Sequence, residues 1–337
     1  MSWEILVTCL LISSEFIPDI GLRHTTAMTT DQLTGQLPIV HDLRNSKGHG
    51  FQCMVFDGLY MPPFLMTGET AEKTLESIRD IELNDDDVII CAYPKCGTHW
   101  VWEVVEMLRS GVIEYRKQVK DTQELELIYK EGADALSAPR TLNTHLYLRM
   151  LPKQVVEKKI KCIQIMRNPK DACVSMFSQF RDTIAPVGFE GDLAEFTEIY
   201  LSGQTYFGSY SDYLLTWKAE LARSPGQPVL KLFYEDMKRD PLKTVKDIAG
   251  FLDLAVTDQF CEDIAHSCSF KKMKQVDKDL KEQFIKKKFW KEGSAGYYRK
   301  GEVGDWKNWF TVAESEKFDR IWNDKMKDSG VTFTYSP

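Results

Sequence analysis

The sequence predicts an α/β fold: one domain with a central parallel β-sheet flanked by helices, organised around a P-loop-like turn. Three stretches carry that prediction. Val88-Ile89-Ile90, Lys161 to Met166 and Val229 to Phe233 are short apolar runs of the kind that form buried parallel strands. Each runs into a turn and then into apolar positions at helical spacing. Strands alternating with helices in this way mean a parallel sheet covered on both faces.

The unit at residues 88–109 is the centre of the pattern. After the strand, Tyr93-Pro94-Lys95-Cys96-Gly97 breaks the run, and from Thr98 the apolar positions Val101, Val104, Val105 and Leu108 recur at helical spacing. A strand, a tight loop and a helix aim backbone N–H groups and a helix N-terminus at one spot, which suits an anion such as a phosphate. Lys95 precedes Gly97, so this is not a Walker A loop. Taken alone, the loop also fits an ordinary turn with an exposed lysine.

Residues 1–30 read as a poorly specified extension ahead of a domain at 31–337. Ile5 to Ile12 is apolar apart from Thr8, but it is too short to span a bilayer and no Lys or Arg precedes it as in a signal peptide. In 31–66, Asp57-Gly58 and Pro62-Pro63 mark turns, and the aromatics of 56–64 pack either on the core or on an apolar ligand. Thr70 to Asp80 reads as a helix, and 119–130 and 152–159 as surface helices. Between them a short strand-like piece ends at His145, which is either structural or catalytic.

After the strand ending at Met166 comes the turn Arg167-Asn168-Pro169-Lys170-Asp171 and a helix through Val174, Ser175 and Phe177. Arg at a strand end offers a bidentate fork to an anion, and Ser175, eight residues on, could return to the same group. Ser211 to Arg223 is an amphipathic helix, Tyr234-Glu235-Asp236 closes the third strand, and Pro241 and Thr257 open two more helices. Residues 271–300 are Lys-rich with interspersed aromatics and lead into Arg299-Lys300-Gly301. Thr311 with Glu314 makes a capping box for a last helix.

Composition narrows the class. Of 337 residues, 43% are hydrophobic, enough for a large core, and the net charge of −7 disfavours nucleic-acid binding. Eight cysteines with no C-x-x-C pair suggest reduced thiols in a reducing, cytoplasmic compartment and no metal site.

Together these stretches resemble the cytosolic sulfotransferase family over roughly residues 50–325. The resemblance rests on Tyr93-Pro94-Lys95-Cys96-Gly97-Thr98-His99-Trp100 against the family's YPKSGTTW, and on Arg167 with Ser175. It rests further on Tyr234, on Cys268-Ser269-Phe270-Lys271-Lys272-Met273 against TSFxxMK, and on Arg299-Lys300-Gly301 with Gly304-Asp305-Trp306-Lys307 against RKGxxGDWK. Lys307, Thr311, Val312 and Glu316 fit the family's dimer motif, which implies a homodimer.

The resemblance implies transfer of a sulfuryl group from 3′-phosphoadenosine 5′-phosphosulfate (PAPS) to a small, lipophilic hydroxyl or amine acceptor, without stable membrane insertion. It makes His145 the general base, Lys95 the cation at the leaving oxygen, and Ser175 the link between donor and Lys95. Trp100 and Phe270 would stack on the adenine, and Tyr234 would lie near it. Cys96, Gly97, Thr98, His99, Cys268, Met273, Arg299, Lys300 and Gly301 would complete the donor site. The aromatics of 56–64 with Tyr147, Phe177, Phe180 and Phe284 would line the acceptor pocket.

Three departures stand out. Asn143 replaces a lysine that the family often has two residues before the histidine to help the leaving sulfate; as a catalytic residue it could still donate a hydrogen bond there, without the charge. His99 replaces a threonine, and Cys96 and Cys268 replace hydroxyl donors. They leave room for an inactive, regulatory PAPS-binding paralogue. A kinase on a similar core is disfavoured by the missing Walker A loop.

Overall fold

The computed structural model describes residues 41–45, 47–63, 75–116, 120–183, 188–276, 290–294 and 296–337. The expected extension at 1–30, the first part of the 70–80 helix and Phe284 lie outside the described residues.

Two sheets are present among these residues. The first was not anticipated: β1 (His41–Arg44), β2 (Gly50–Phe56) and β3 (Leu59–Met61) form an antiparallel meander in that order. Asp57 and Gly58, with φ of 46° and 77°, make the two-residue turn between β2 and β3, where a right-twisted hairpin needs positive φ. Phe51, Cys53 and Met54 point β2 into the core.

The second sheet is the predicted parallel one. β4 (Val88–Ala92), β5 (Thr141–Thr144), β6 (Lys161–Met166) and β7 (Val229–Phe233) lie in the order β5-β4-β6-β7. All of β4 and β5 is buried, as expected of strands covered by helices on both faces. Each fully buried Ile or Leu here stabilises the fold by about 1.5–3 kcal/mol relative to exposure.

The chain leaves β4 for β5 on one side and then returns to β6 on the other. Such a switch in strand order opens a crevice beyond the carboxyl ends of the strands, where α/β folds bind ligands. The register makes those ends level: Cys91 is opposite Thr144, Ala92 opposite Ile165, and Met166 opposite Phe233. The next residues in each strand–turn are therefore neighbours across one rim.

The helices follow the expected starts. α1 (Thr98–Ser110) begins at Gly97, α2 (Leu125–Ala135) is broken at Tyr129, and α3 (Pro169–Asp182) is capped by Asn168 with Pro169 in its first turn. α4 (Leu193–Ser202), α5 (Tyr210–Arg223), α6 (Tyr234–Arg239), α7 (Pro241–Phe251) and α8 (Asp258–Ser267) follow. The Thr311–Glu314 capping box opens α9 (Val312–Met326), as the sequence indicates. The surface helices expected at 119–130 and 152–159 are displaced and shortened to Leu125–Ala135, behind a 3-10 turn at Lys120–Gln123, and to one turn at Gln154–Glu157.

Candidate active site

The turn after β4 is held from beneath. Tyr93 is fully buried, stacks on Tyr210 at 4.6 Å and donates to the Gly208 carbonyl at 2.8 Å. Lys95 takes a φ of 72° and Gly97 one of 117°, so the turn doubles back and starts α1 in a tight space. A Cβ on Gly97 would meet the Tyr234 ring at 3.0 Å, which is why glycine stands there. The first helical bonds of α1 run from Trp100 and Val101 N–H to the Gly97 carbonyl. The amides ahead of them, at Thr98 and His99, begin the helix and point along its positive end.

Cys96 departs from its expected place. Its side chain is wholly buried, its thiol lies 3.6 Å from the Tyr210 hydroxyl, and burial pushes it up to about 12. It therefore packs under the loop as a neutral thiol instead of facing the rim. Cys268, against Met107 Sδ at 3.8 Å, and Met273 are likewise core residues. The backbone N–H groups at these three positions are also taken up within the chain, by the carbonyls of Tyr93, Ile264 and Ser269.

At the end of β5, His145 is fixed by its main chain and its ring. Its N–H donates to Glu126 Oε1, and Nδ1 lies 2.7 Å from the Ala92 carbonyl at the end of β4. A carbonyl only accepts, so in the neutral ring Nδ1 carries the proton and Nε2 holds the lone pair. Burial first of all lowers the pKa of this histidine from its ordinary value, with Glu124 opposing and Lys120 and Lys95 adding to the fall. A neutral imidazole with a fixed tautomer is a ready proton acceptor. Phe207 lies edge-on to the ring at 5.1 Å. Phe207 has a φ of 66°, and its N–H donates to the Tyr60 carbonyl at 2.7 Å. Tyr60 is thus the part of the 56–64 segment linked to this corner.

Asn143 sits in the wall behind His145. It is fully buried, with Oδ1 accepting from Lys120 Nζ at 3.2 Å and Nδ2 donating to the Lys120 carbonyl at 3.0 Å. Its amide is turned to Lys120, which corrects the expectation that it donates toward a leaving group.

At the end of β6, Arg167 ties three predicted motifs together. Its Nη1 donates to the Lys95 carbonyl at 3.1 Å, its Nη2 to the Glu302 carbonyl at 3.2 Å, and the guanidinium lies 4.2 Å over the Tyr234 ring. Below it, Asp171 accepts from the N–H groups of Gly304 and Trp306 at 2.7 and 2.9 Å, binding the 299–307 loop to α3. Half-buried Ser175 rises from α3 one helical stretch further on.

The predicted aromatics Trp100 and Phe270 also come together around one lysine. Lys238 Nζ lies 6.0 Å from the Trp100 ring and 5.9 Å from the Phe270 ring, which brings the two rings into one neighbourhood. Gly301, with φ of 69°, lies against Phe270 so closely that a Cβ would fall 2.1 Å from the ring. Arg299 and Lys300 are paired with buried Asp305 at 2.7 and 2.6 Å. These cations hold the Asp305 carboxyl far below its ordinary value against the burial that raises it. Tyr297 lies over the turn, 5.6 Å from Lys95 Nζ and 4.8 Å from the His99 ring.

Two expected pocket residues go elsewhere. Phe177 and Phe180 both pack on Phe196, at 5.6 and 5.4 Å, in an aromatic cluster with Phe51, Phe189 and Tyr206. That cluster is core. Sequence reasoning missed Phe207, Lys238, Lys120 and Glu124; only the aromatic–glycine pair Phe207-Gly208 signalled a special loop.

The arrangement can hold an anion that carries a flat group: cations and helix-start N–H groups gather past the strand ends, with aromatic rings and a histidine on the same rim. Comparison with known proteins agrees. Residues 85–330 match the model of the sulfotransferase domain. The chain is 32% identical to human sulfotransferase 1C2 over 266 residues, covering 76% of this chain and 88% of that one. It is 34% identical to mouse sulfotransferase 1B1 over 272 residues, covering 77% and 88%. Among solved structures it is similar to mouse sulfotransferase SULT7A1 complexed with PAP, at a TM-score of 0.65, 31% identity and coverage of 82% and 95%. The fold is also that of retinol dehydratase, at a TM-score of 0.68, 18% identity and coverage of 88% and 100%. The chain belongs to the sulfotransferase family and is an enzyme of sulfuryl transfer.

Proposed function

We propose that this enzyme transfers the sulfuryl group of PAPS to a hydroxyl or amine of a small apolar acceptor, with His145 as the general base. The observation that carries the reading is the convergence of Lys95, His145 and Arg167 just past the level ends of β4, β5 and β6. The PAP complex of the mouse neighbour supports the donor class.

The residues present fit such a donor. Arg167 Nε and Arg299 Nε are buried atoms with no hydrogen-bond partner among the described residues, beside a loop whose glycine leaves room at Phe270. Orphaned guanidinium donors suit phosphate oxygens. Lys95 with the first-turn amides of α1 would hold the 5′ end, Arg167, Ser175, Arg299 and Lys300 the 3′-phosphate, and Trp100 with Phe270 the adenine. When bound, the donor supplies the sulfuryl group and a phosphate leaving group.

Transfer by in-line displacement asks the protein for position and charge. His145 Nε2 takes the acceptor's proton as the acceptor oxygen attacks. Lys95 offsets the negative charge on the leaving oxygen. Phe207 forms an apolar flank beside His145, which favours phenols, sterols and alcohols over sugars.

Val312, 76% exposed at the start of α9, supports use of the motif at Lys307, Thr311, Val312 and Glu316 as a homodimer contact. Among the described residues no helix is long and apolar enough to cross a membrane.

The test is incubation with PAPS and a panel of phenols, sterols and aliphatic alcohols, with PAP release as the readout. Acceptor-dependent release is expected. Tight PAP binding with no turnover of any acceptor would favour a regulatory paralogue, and no binding would end the reading.

A further inference from the structure

Behind His145 lies a buried charged layer that the proposed chemistry does not use. Lys120–Gln123 forms a short 3-10 turn, and Glu124 then bridges to Asn143 in parallel, so this segment extends the sheet edge beside β5. Lys120 Nζ is packed among Glu124, Asp121 at 3.3 Å and Asn143 Oδ1 at 3.2 Å. Lys120 is 5% exposed, Glu124 7% and Asn143 0%. Asn143 and His145 are two residues apart in an extended stretch, so their side chains leave the same face.

Burying an ammonium and a carboxylate costs several kcal/mol per ion, roughly, and a well-packed apolar pair would do as well for stability alone. The placement therefore asks for another use.

We propose that Lys120 and Glu124 are positioning residues for His145: their ion pair, clamped on Asn143 by hydrogen bonds and by the Glu124–Asn143 bridge, fixes the end of β5 and with it the place of the imidazole two residues on. This rests on the reading of His145 as the base. It gives the uncharged Asn143 a role, as the strut that carries Lys120. The charged and polar groups facing His145 are Glu124 and Lys120 from this segment, Glu126 on its N–H, Lys95 from the turn after β4 and the Ala92 carbonyl on Nδ1.

Proton-resolved titration of His145 tests the proposal without turnover. The ring signal is assigned by its loss in His145→Ala and followed in Lys120→Met, Glu124→Gln and the double variant, with PAP affinity and circular dichroism as checks of the fold. Lys120→Met should raise the His145 midpoint by about one pH unit, Glu124→Gln should lower it by about as much, and the double variant should fall between them. The acid limb of kcat/KM should move with each midpoint.

Unchanged midpoints, or single variants shifting the same way, would reduce the pair to a loop anchor that leaves the imidazole unaffected and overturn the proposal. Should Lys120→Met fail to fold, Glu124→Gln and the charge-free double variant still decide it, since the first must lower the midpoint relative to the second. Turnover persisting in His145→Ala would sink the base reading instead, and would leave the titration result standing.

Discussion

Gly301→Ala probes the donor slot through a single methyl group. Gly301 has a φ of 69°, and an added Cβ would lie 2.1, 2.4 and 2.6 Å from three carbons of the Phe270 ring. No side chain tolerates such approaches, so either Phe270 swings out of its place beside Lys238 or the 299–302 loop retreats from Arg167. The left-handed backbone costs an alanine about 1–2 kcal/mol, and forcing extra volume into a packed contact about 1–3 kcal/mol more. If about 2 kcal/mol of that is felt at the slot, the Kd for PAP rises roughly thirtyfold. Calorimetric titration with PAP measures it, with urea unfolding run in parallel. An unchanged Kd, with or without a loss of stability, would refute the argument that the Gly301–Phe270 contact shapes the donor site.

Three further outcomes are expected. Arg167→Lys loses the fork that joins the Lys95 and Glu302 carbonyls, and should weaken PAP binding by about 1.5–3 kcal/mol; equal affinity would remove Arg167 from the donor site. Val312→Glu puts a charge on the exposed start of α9, and on the proposed homodimer contact sedimentation should shift from dimer toward monomer; a wild type that sediments as a monomer, or a variant of unaltered mass, would count against that contact. Glu126 is pushed up to about 8, first by burial and then by Glu124, so the folded state keeps a proton that the unfolded chain releases. Its burial therefore erodes stability as pH rises from the ordinary carboxylate range toward 8, and Glu126→Gln should gain on the wild type by up to about 1.4 kcal/mol per pH unit across that window. Parallel urea-stability curves for the two proteins would exclude that titration.

Much of this was legible because it is periodic or sits at a strand end. Continuous apolar runs mark β4, β6 and β7, and Lys95, His145, Arg167 and Tyr234 follow strand ends, where a switched parallel sheet builds its site. The meander escaped because Met54 and Val55 break the in–out alternation of β2. Cys96, Cys268 and Met273 sit within binding motifs, yet the chain turns their side chains inward, a matter of local backbone direction that spacing does not encode. Phe177 and Phe180 are ordinary core aromatics. Lys120 was illegible for another reason: lysine is normally exposed, and only the bridge between Glu124 and Asn143 brings it beneath the site.

The central claim is that the His145 imidazole takes the acceptor's proton. The direct measurement is single-turnover transfer from PAPS by His145→Ala beside the wild type, across pH, with PAP affinity measured on both. The expected result is a rate lower by about 10²–10⁴ at unchanged PAP affinity. The wild type should also show an acid limb below the ordinary histidine value, in keeping with the direction burial imposes on His145, and the variant should lack it. A variant that turns over at a wild-type rate, with the same acid limb, would contradict the account.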